Sequence, residues 1–482
     1  MSDTTDAAFR LPLDVRPLRY DAFLSVDVEQ RRFEGELTLS LQLVRGAAEL
    51  VLHAVDLEVT RAVVEAGGSE QAATVTTVGA SQTLRLGLAR PLPIGPATAR
   101  LAWRGRFCEG LRGLYLAGPG LAATQFEAAD ARRVFPCLDE PGFKAPWRLT
   151  VEAPSGAVVL SNGRAEAEEA MGQRRRHRFA ETPPLPTYLV ALVVGPLASG
   201  PADQVRGVLT RTWASPEKAA LLGFGQEAAR AALPRLEDYF GLPYAFGKLD
   251  QVGLPEFEAG AMENAGLITY REVALLLDPR TAPLNMQKRV AEVITHELAH
   301  QWFGNLVTMQ WWDDLWLNEA FATWMAYKIV DQWRPHWRVW MDFEVGKGAA
   351  LHLDALRSSH PIRSEIKNAQ EAGESFDAIT YEKGGAILRM LEGWLGADAF
   401  RDGIRLYMRR HREQNAVADD LWGALADSSG QPILALANGW IRTVGYPLLT
   451  VREKNGQLTL KQERFFTGSD AMAGSSSSAV SR

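Results

Sequence analysis

Cysteine is almost missing from this sequence: Cys108 and Cys137 are the only two in 482 residues. That excludes a disulfide-built scaffold and points to a reducing compartment, with the cytoplasm as the expected location. Histidine is sparse too, at eight, so two of them at a chemically meaningful spacing carry weight. Positive charge is not in excess. The formal net charge of -6 excludes the broad basic field that a nucleic-acid partner needs. The one basic run, RRRHR (Arg174 to Arg178), is isolated and reads as the solvated face of a strand or hairpin. Long hydrophobic runs are lacking. The most apolar stretch, TYLVALVVGPLA (Thr187 to Ala198), contains Gly195 and Pro196 and is too short to cross a bilayer. It reads as a buried strand, and no membrane partner is expected. The opening MSDTTDAAFRLPLDVRP has early acids and no apolar segment of the signal-peptide kind.

What is present is a globular balance, 46% hydrophobic and 23% charged, at a length that calls for two or three domains. In the first two hundred residues, LSVDV (Leu24 to Val28), LTLSLQL (Leu37 to Leu43) and LRLGL (Leu84 to Leu88) alternate apolar and polar positions. Period two gives strands with one buried face, as in an antiparallel sandwich. Near Pro216 the texture changes. PEKAALLGFGQEAARAALPRLEDYF reads as helix, which Pro234 is expected to kink or end. Helical patterns dominate to about Trp440. Then PLLTVREKNGQLTLKQERF reads as a hairpin turning at Asn455-Gly456, with Val451 set opposite Leu460. The small, polar AMAGSSSSAVSR is expected to be disordered.

The chemistry sits in VITHELAHQWFGNLVTMQWWDDLWLNEAFATW (Val293 to Trp324). A helix advances about 100° per residue, so His296 and His300 stack one turn apart on one face and can share a metal ion. Glu297 is rotated off that face and can serve as a general base without being a ligand. Glu319 lies on the next helical run, flanked by Leu317, Phe321 and Ala322. Burying a carboxylate there is costly unless it has a partner, and a metal supplies one. Two histidines, one glutamate and a fourth position left for water suit one catalytic zinc ion, which activates water near neutral pH. Hydrolysis of a carbonyl compound, most naturally a peptide bond, is the chemistry implied.

Upstream, EAGAMENAGLITY (Glu258 to Tyr270) places Glu263 in small, apolar surroundings. GAMEN, then HELAH, then Glu319 after eighteen intervening residues, together resemble the aminopeptidase N-like zinc aminopeptidases of the gluzincin group. TQFEAADARRVFPCLDEPGFKAPW (Thr124 to Trp147), SSHPI (Ser358 to Ile362) and FDAITYEKGGAILRML (Phe376 to Leu391) are similar to further segments of that family. The resemblance implies that Glu263 binds the α-ammonium of a peptide with a free N-terminus. Glu127 would be its acidic partner, and Gln125 would line the same pocket. Gly260, Ala261, Met262 and Asn264 complete the substrate-binding set, the first two through main-chain groups. Tyr381 would stabilise the oxyanion. Read without the resemblance, Glu127 could equally lie on an exposed turn, and Tyr381 reads first as a core tyrosine. Trp302, Trp311, Trp312 and Trp316 read as core, His336, His352, His360 and His411 as structural, and Cys137 as a small buried hydrophobe.

The expectation is therefore an α+β zinc-dependent aminopeptidase. An all-β N-terminal sandwich domain (1–198) precedes a thermolysin-like, mainly helical catalytic domain (199–444). The start of a second β-sandwich (445–482) follows, so the chain reads as C-terminally truncated relative to the family. Two alternatives stand beside it. One is a leukotriene-hydrolase-type epoxide hydrolase, against which GAMEN rather than GGMEN argues. The other is a catalytically impaired, truncated protein that binds zinc or peptide.

Overall fold

The computed structural model describes residues 10–467. The expectations for the first nine residues and for the Ser-rich stretch of 468–482 lie outside them. The alternating segments form strands because each presents one apolar row. In Arg32–Leu43, Phe33, Leu37, Leu39, Leu41 and Leu43 are buried while Glu34, Glu36 and Thr38 are exposed. This strand pairs antiparallel with Val15–Asp27 and Gly95–Arg106 inside a ten-stranded sheet, which Trp147–Pro154 joins parallel to Val15–Asp27. A four-stranded sheet contains Leu121–Gln125, whose C-terminal end leads into the loop carrying Glu127. Between these elements Tyr20 stacks on Trp147 at 4.0 Å, and Phe135 meets Trp147 edge-on at 5.2 Å.

RRRHR forms a strand, Arg174–Phe179, with acidic neighbours on its solvent side. Arg174 and Arg176 meet Glu152 at 2.9 and 3.2 Å, and Arg175 meets Glu168 at 2.9 Å. The apolar run from Thr187 departs from the expected single strand. Thr187–Leu189 is one tight helical turn and Leu192–Gly195 is strand, both buried, and Ala198 opens a further short strand, Ala198–Ser199.

The second part of the chain opens on a mixed sheet. Val208–Ala214, Lys248–Leu254 and Leu267–Arg271 run parallel, and the short strand Ala261–Met262 closes antiparallel on the last of them. Nine helices among the described residues follow these strands or interleave with them: α1 (Gly223–Phe240), α2 (Leu284–His300), α3 (Leu315–Trp333), α4 (Val339–Asp354), α5 (Ala369–Glu374), α6 (Gly384–Leu395), α7 (Ala397–His411), α8 (Ala418–Ser429) and α9 (Ile433–Ile441). Helix α1 continues past Pro234 to Phe240 instead of ending there. The Arg235 guanidinium donates to the Ala231 carbonyl one turn back at 2.6 Å, and Ala232, Leu233 and Leu236 keep the helix face buried. Packing on both sides of the proline thus outweighs its lost backbone donor.

Helix α3 is buried on every side from Leu315 to Ala326, the pattern of a central helix. Trp302, Trp312 and Trp316 pack in this core, and Phe303 stacks on Phe321 at 3.8 Å. Trp311 is only half-buried, with the Arg10 guanidinium 3.6 Å over its ring. Cys137 is buried, and neither cysteine forms a disulfide.

Beyond α9, Pro447–Lys454 and Gln457–Arg464 form the expected hairpin in the expected register, Val451 opposite Leu460. Asn455 and Gly456 both take positive φ, 53° and 75°, as the two-residue turn requires. Leu449, Val451, Leu458 and Leu460 share one face and are 54–66% exposed. No helix among the described residues is long and apolar enough to cross a membrane.

Candidate active site

Helix α2 changes character along its length. Its first turns are partly exposed, and everything from Val293 to His300 is buried. His296 and His300 therefore enter the interior on one face, with their Nε2 atoms 3.0 Å apart. Glu319 approaches from α3. Its Oε2 lies 3.3 Å from His296 Nε2 and 3.5 Å from His300 Nε2. A tetrahedral ion with donors at about 2.05 Å has donor–donor edges of about 3.3 Å, so this triangle fits one face of a zinc coordination sphere. The outer nitrogens are anchored as a metal ligand set needs. His300 Nδ1 lies 3.2 Å from the Phe303 carbonyl, and His296 Nδ1 lies 3.5 Å from Thr323 Oγ1. Donating Nδ1–H to the Phe303 carbonyl leaves the His300 Nε2 lone pair facing its partners. Gly304 makes the turn possible. Its φ is 129°, and a Cβ there would meet His300 Nδ1 and Asn318 Nδ2 at 3.2 Å.

Beside the triangle lies a second acidic group. Carboxylate oxygens of Glu127, Glu263 and Glu319 all fall within 4.8 Å of one another. Glu127 comes from the first β domain and Glu263 from the loop after Ala261–Met262. Gln125 arrives with Glu127, and its Nε2 donates to Met262 Sδ at 3.4 Å. Gln125 Oε1, Glu127 Oε1 and Glu263 Oε1 are buried and accept no hydrogen bond among the described residues. The unpaired carboxylate oxygens of Glu127 and Glu263, in one acidic group, call for a donor-rich cation, because leaving buried acceptors unpaired is expensive.

The electrostatics tell the same story. Burial, then repulsion from Glu263, Glu319 and Glu297, pushes the Glu127 carboxyl well above the usual range. Burial also raises Glu263 and Glu297, against the pull of His300. For His300 burial favours the neutral ring, but Glu263 and Glu319 outweigh it and lift the imidazole to about 10. Glu319 is held below the usual carboxylate range by the two histidines despite its burial. Glu127, Glu263, Glu297 and Glu319 thus act on one another across one buried site, and His300 opposes the charge of the last three.

Not every sequence-predicted residue faces this pocket with its side chain. The Asn264 amide donates to Thr269 Oγ1 at 3.1 Å and its carbonyl accepts from Leu267 N, so Asn264 shapes the loop. The Gly260 carbonyl accepts from Arg271 N at 2.9 Å. Ala261 and Met262 pair with Tyr270 and Thr269. Gln301 and Asn305 escaped the sequence reading. Both donate to the Glu263 carbonyl, at 2.9 and 2.8 Å, and so fix the loop to the end of α2. Their signal was available: two amides in the otherwise apolar QWFGNLV. Tyr188, from the first domain, is buried, and its ring lies 5.3 Å from that of Trp312.

Tyr381 sits on a π-helical turn, Ile379–Lys383, just before α6. Its ring stacks on His296, with centroids 5.9 Å apart and planes 11° from parallel. Burial, then Glu319, raises the phenol well above its ordinary range, so it keeps its proton and remains a donor. The turn is set tightly on α3. A Cβ at Gly384 would lie 2.6 Å from Ala320 Cβ, next to Glu319, whereas one at Gly385 would find only ordinary contacts from 3.4 Å. Gly384→Ala is therefore expected to cost about 1–3 kcal/mol in denaturant unfolding by overpacking, and Gly385→Ala to stay within about 1 kcal/mol. Equal effects would contradict this asymmetry.

A buried His-x-x-x-His pair on one helix, joined by a carboxylate from the next and flanked by a separate acidic cluster, is a donor set that could hold a metal ion. The chain belongs to the M1 peptidase family. The Peptidase M1 N-terminal domain model matches residues 16–189, and the Peptidase family M1 domain model matches residues 224–440. Aminopeptidase M1-A of Oryza sativa subsp. japonica is 41% identical over 470 residues, covering 95% of this chain and 54% of the relative. Aminopeptidase M1 of Arabidopsis thaliana is 39% identical with the same coverage. Alanine/arginine aminopeptidase of Saccharomyces cerevisiae is 39% identical over 95% of this chain and 55% of the relative. The chain thus spans about half the length of these curated relatives.

Proposed function

We propose that this protein is a zinc-dependent aminopeptidase that removes the N-terminal residue from peptides. The observation that carries the reading is the pairing of two cation-demanding groups in one buried space. His296, His300 and Glu319 fit a metal, and Gln125, Glu127 and Glu263 offer orphaned acceptors. A substrate α-ammonium has three N–H donors for those three acceptors. A chain extended beyond that nitrogen would meet carboxylates instead of open space, which confines cleavage to the first residue.

His296, His300 and Glu319 would hold the zinc, which supplies Lewis acidity toward the scissile carbonyl and toward water. Glu297 takes the proton from the attacking water on a carboxylate oxygen and passes it to the departing amine. The Tyr381 hydroxyl donates to the oxygen on which negative charge develops. Glu127, Glu263 and Gln125 bind and orient the ammonium end, so that the first peptide bond lies beside Glu297.

The test uses matched peptides with free and Nα-acetylated termini, with and without a zinc chelator. Free-amine substrates are expected to be cleaved and acetylated ones to resist by roughly 10³-fold or more, since an uncharged amide leaves Glu127 and Glu263 buried and unpaired. Comparable cleavage of both would make the enzyme an endopeptidase. Zinc binding with no turnover of either would favour a non-catalytic binding protein.

A further inference from the structure

Tyr381 lies in a turn wider than α, entered by its own N–H donating to the Asp377 carbonyl at 3.1 Å. In the π-helical turn the Gly384 N–H reaches the Ile379 carbonyl five residues back. Such wide turns are rare and cluster at functional sites. The N-terminal end of this one is fixed by Asp377. Its Oδ1 accepts from the Ile379 and Thr380 amides, both at 3.0 Å, and its Oδ2 lies 2.6 Å from His360 Nε2.

The C-terminal end is fixed by Lys383. Its side chain is 3% exposed and pairs with Asp354, 0% exposed, at 2.7 Å. The ammonium also donates to the Gly445 carbonyl at 3.1 Å and the Thr443 carbonyl at 3.5 Å. Asp354, the last residue of α4, accepts from Gly445 N at 2.8 Å and Ser359 Oγ at 2.7 Å. The SSHPI segment therefore ties both ends together, Ser359 to Asp354 and His360 to Asp377. A buried pair of this kind adds little stability over apolar residues of equal size. What it contributes is a junction: Lys383 faces Asp354 at the end of α4 and donates to the Gly445 carbonyl, so the turn, α4 and the 443–445 strap meet at one ammonium.

We propose that the buried Lys383–Asp354 ion pair is the positioning device for Tyr381, holding the π-helical turn in place so that the phenol stacks on His296. Lys383 and Asp354 reach no substrate and are positioning residues. The inference rests on the reading of Tyr381 as the oxyanion donor. Its consequence is a link from the 443–445 strap, which leads into the hairpin, to the reacting end of the site.

The test compares Lys383→Met and Asp354→Asn in the full, zinc-loaded chain, each alone and in a Tyr381→Phe background, on alanine and leucine anilides. Both variants are expected to lower kcat by roughly tenfold to a hundredfold, as misplacement of a reacting group by about 1 Å does. KM should stay within about twofold and zinc at one ion per chain. In the Tyr381→Phe background neither should lower kcat further. Hydrogen exchange supplies a readout independent of turnover. The amides of 379–384 should exchange at least about tenfold faster in both variants, with those of 293–300 unchanged. Further loss of kcat on top of Tyr381→Phe, loosening that spreads equally through α2, or wild-type kcat and exchange would each overturn the proposal. If Lys383→Met fails to fold, Asp354→Asn carries the test, since it keeps the volume and one acceptor oxygen. A wild-type enzyme indifferent to Tyr381→Phe would sink the oxyanion reading instead, while exchange would still decide whether the pair holds the turn.

Discussion

Replacing Glu297 by Gln is expected to leave the protein folded and zinc-loaded and to lower kcat by roughly 10²–10⁴-fold, the usual worth of a general base. Gln keeps the shape of the side chain and loses only its ability to take a proton. Glu297 is not in the donor triangle, so the metal has no reason to leave. The fold has none either. Glu297 is buried beside Glu263 and Glu319, which repel it, and a neutral amide relieves that repulsion. Metal analysis and steady-state kinetics on the same sample check both halves. One zinc per chain with near-normal turnover would remove Glu297 from the role of base.

His300→Ala is expected to fail differently. Two protein ligands rarely hold zinc against a chelator, so metal content should fall below stoichiometry and activity with it. Stability should fall too. Burial pushes the carboxyls of Glu263, Glu297 and Glu319 up, and His300 is the group that pulls all three down. Removing one partner of a buried charge pair costs about 3–5 kcal/mol, and the site would then hold the acids without their counter-charge. Denaturant unfolding with and without added zinc separates the two contributions, because zinc stabilises only what binds it. A variant that kept one tightly held zinc would show that the ligand set is wrong. Wild-type protein stripped by a chelator should lose stability as well, but less than the variant, because its imidazole can still protonate.

Local rules carried much of this protein. The spacing of His296, Glu297 and His300 fixes their faces on any helix, whatever the rest of the chain does. The strands of the first domain follow from strict alternation, and the Asn455-Gly456 turn from the positive φ values it needs. Glu319 was legible because a carboxylate in an apolar helix demands a partner.

Other features had no local signature. Glu127 looks like a residue of an exposed turn, and only the docking of the first domain's sheet brings it within reach of Glu263, 136 positions later. Tyr381 reads as ordinary core until the π-helical turn stacks it on His296. Pro234 carries the sequence signal of a helix end, and the packing of α1 overrides it. Periodicity and capping act over a few residues, so one segment of sequence determines them alone. The acidic pocket is made by elements that meet only when both domains have buried their apolar faces. Which carboxylates end up sharing it, and how far their pKa values are driven apart, was therefore decided by the tertiary structure.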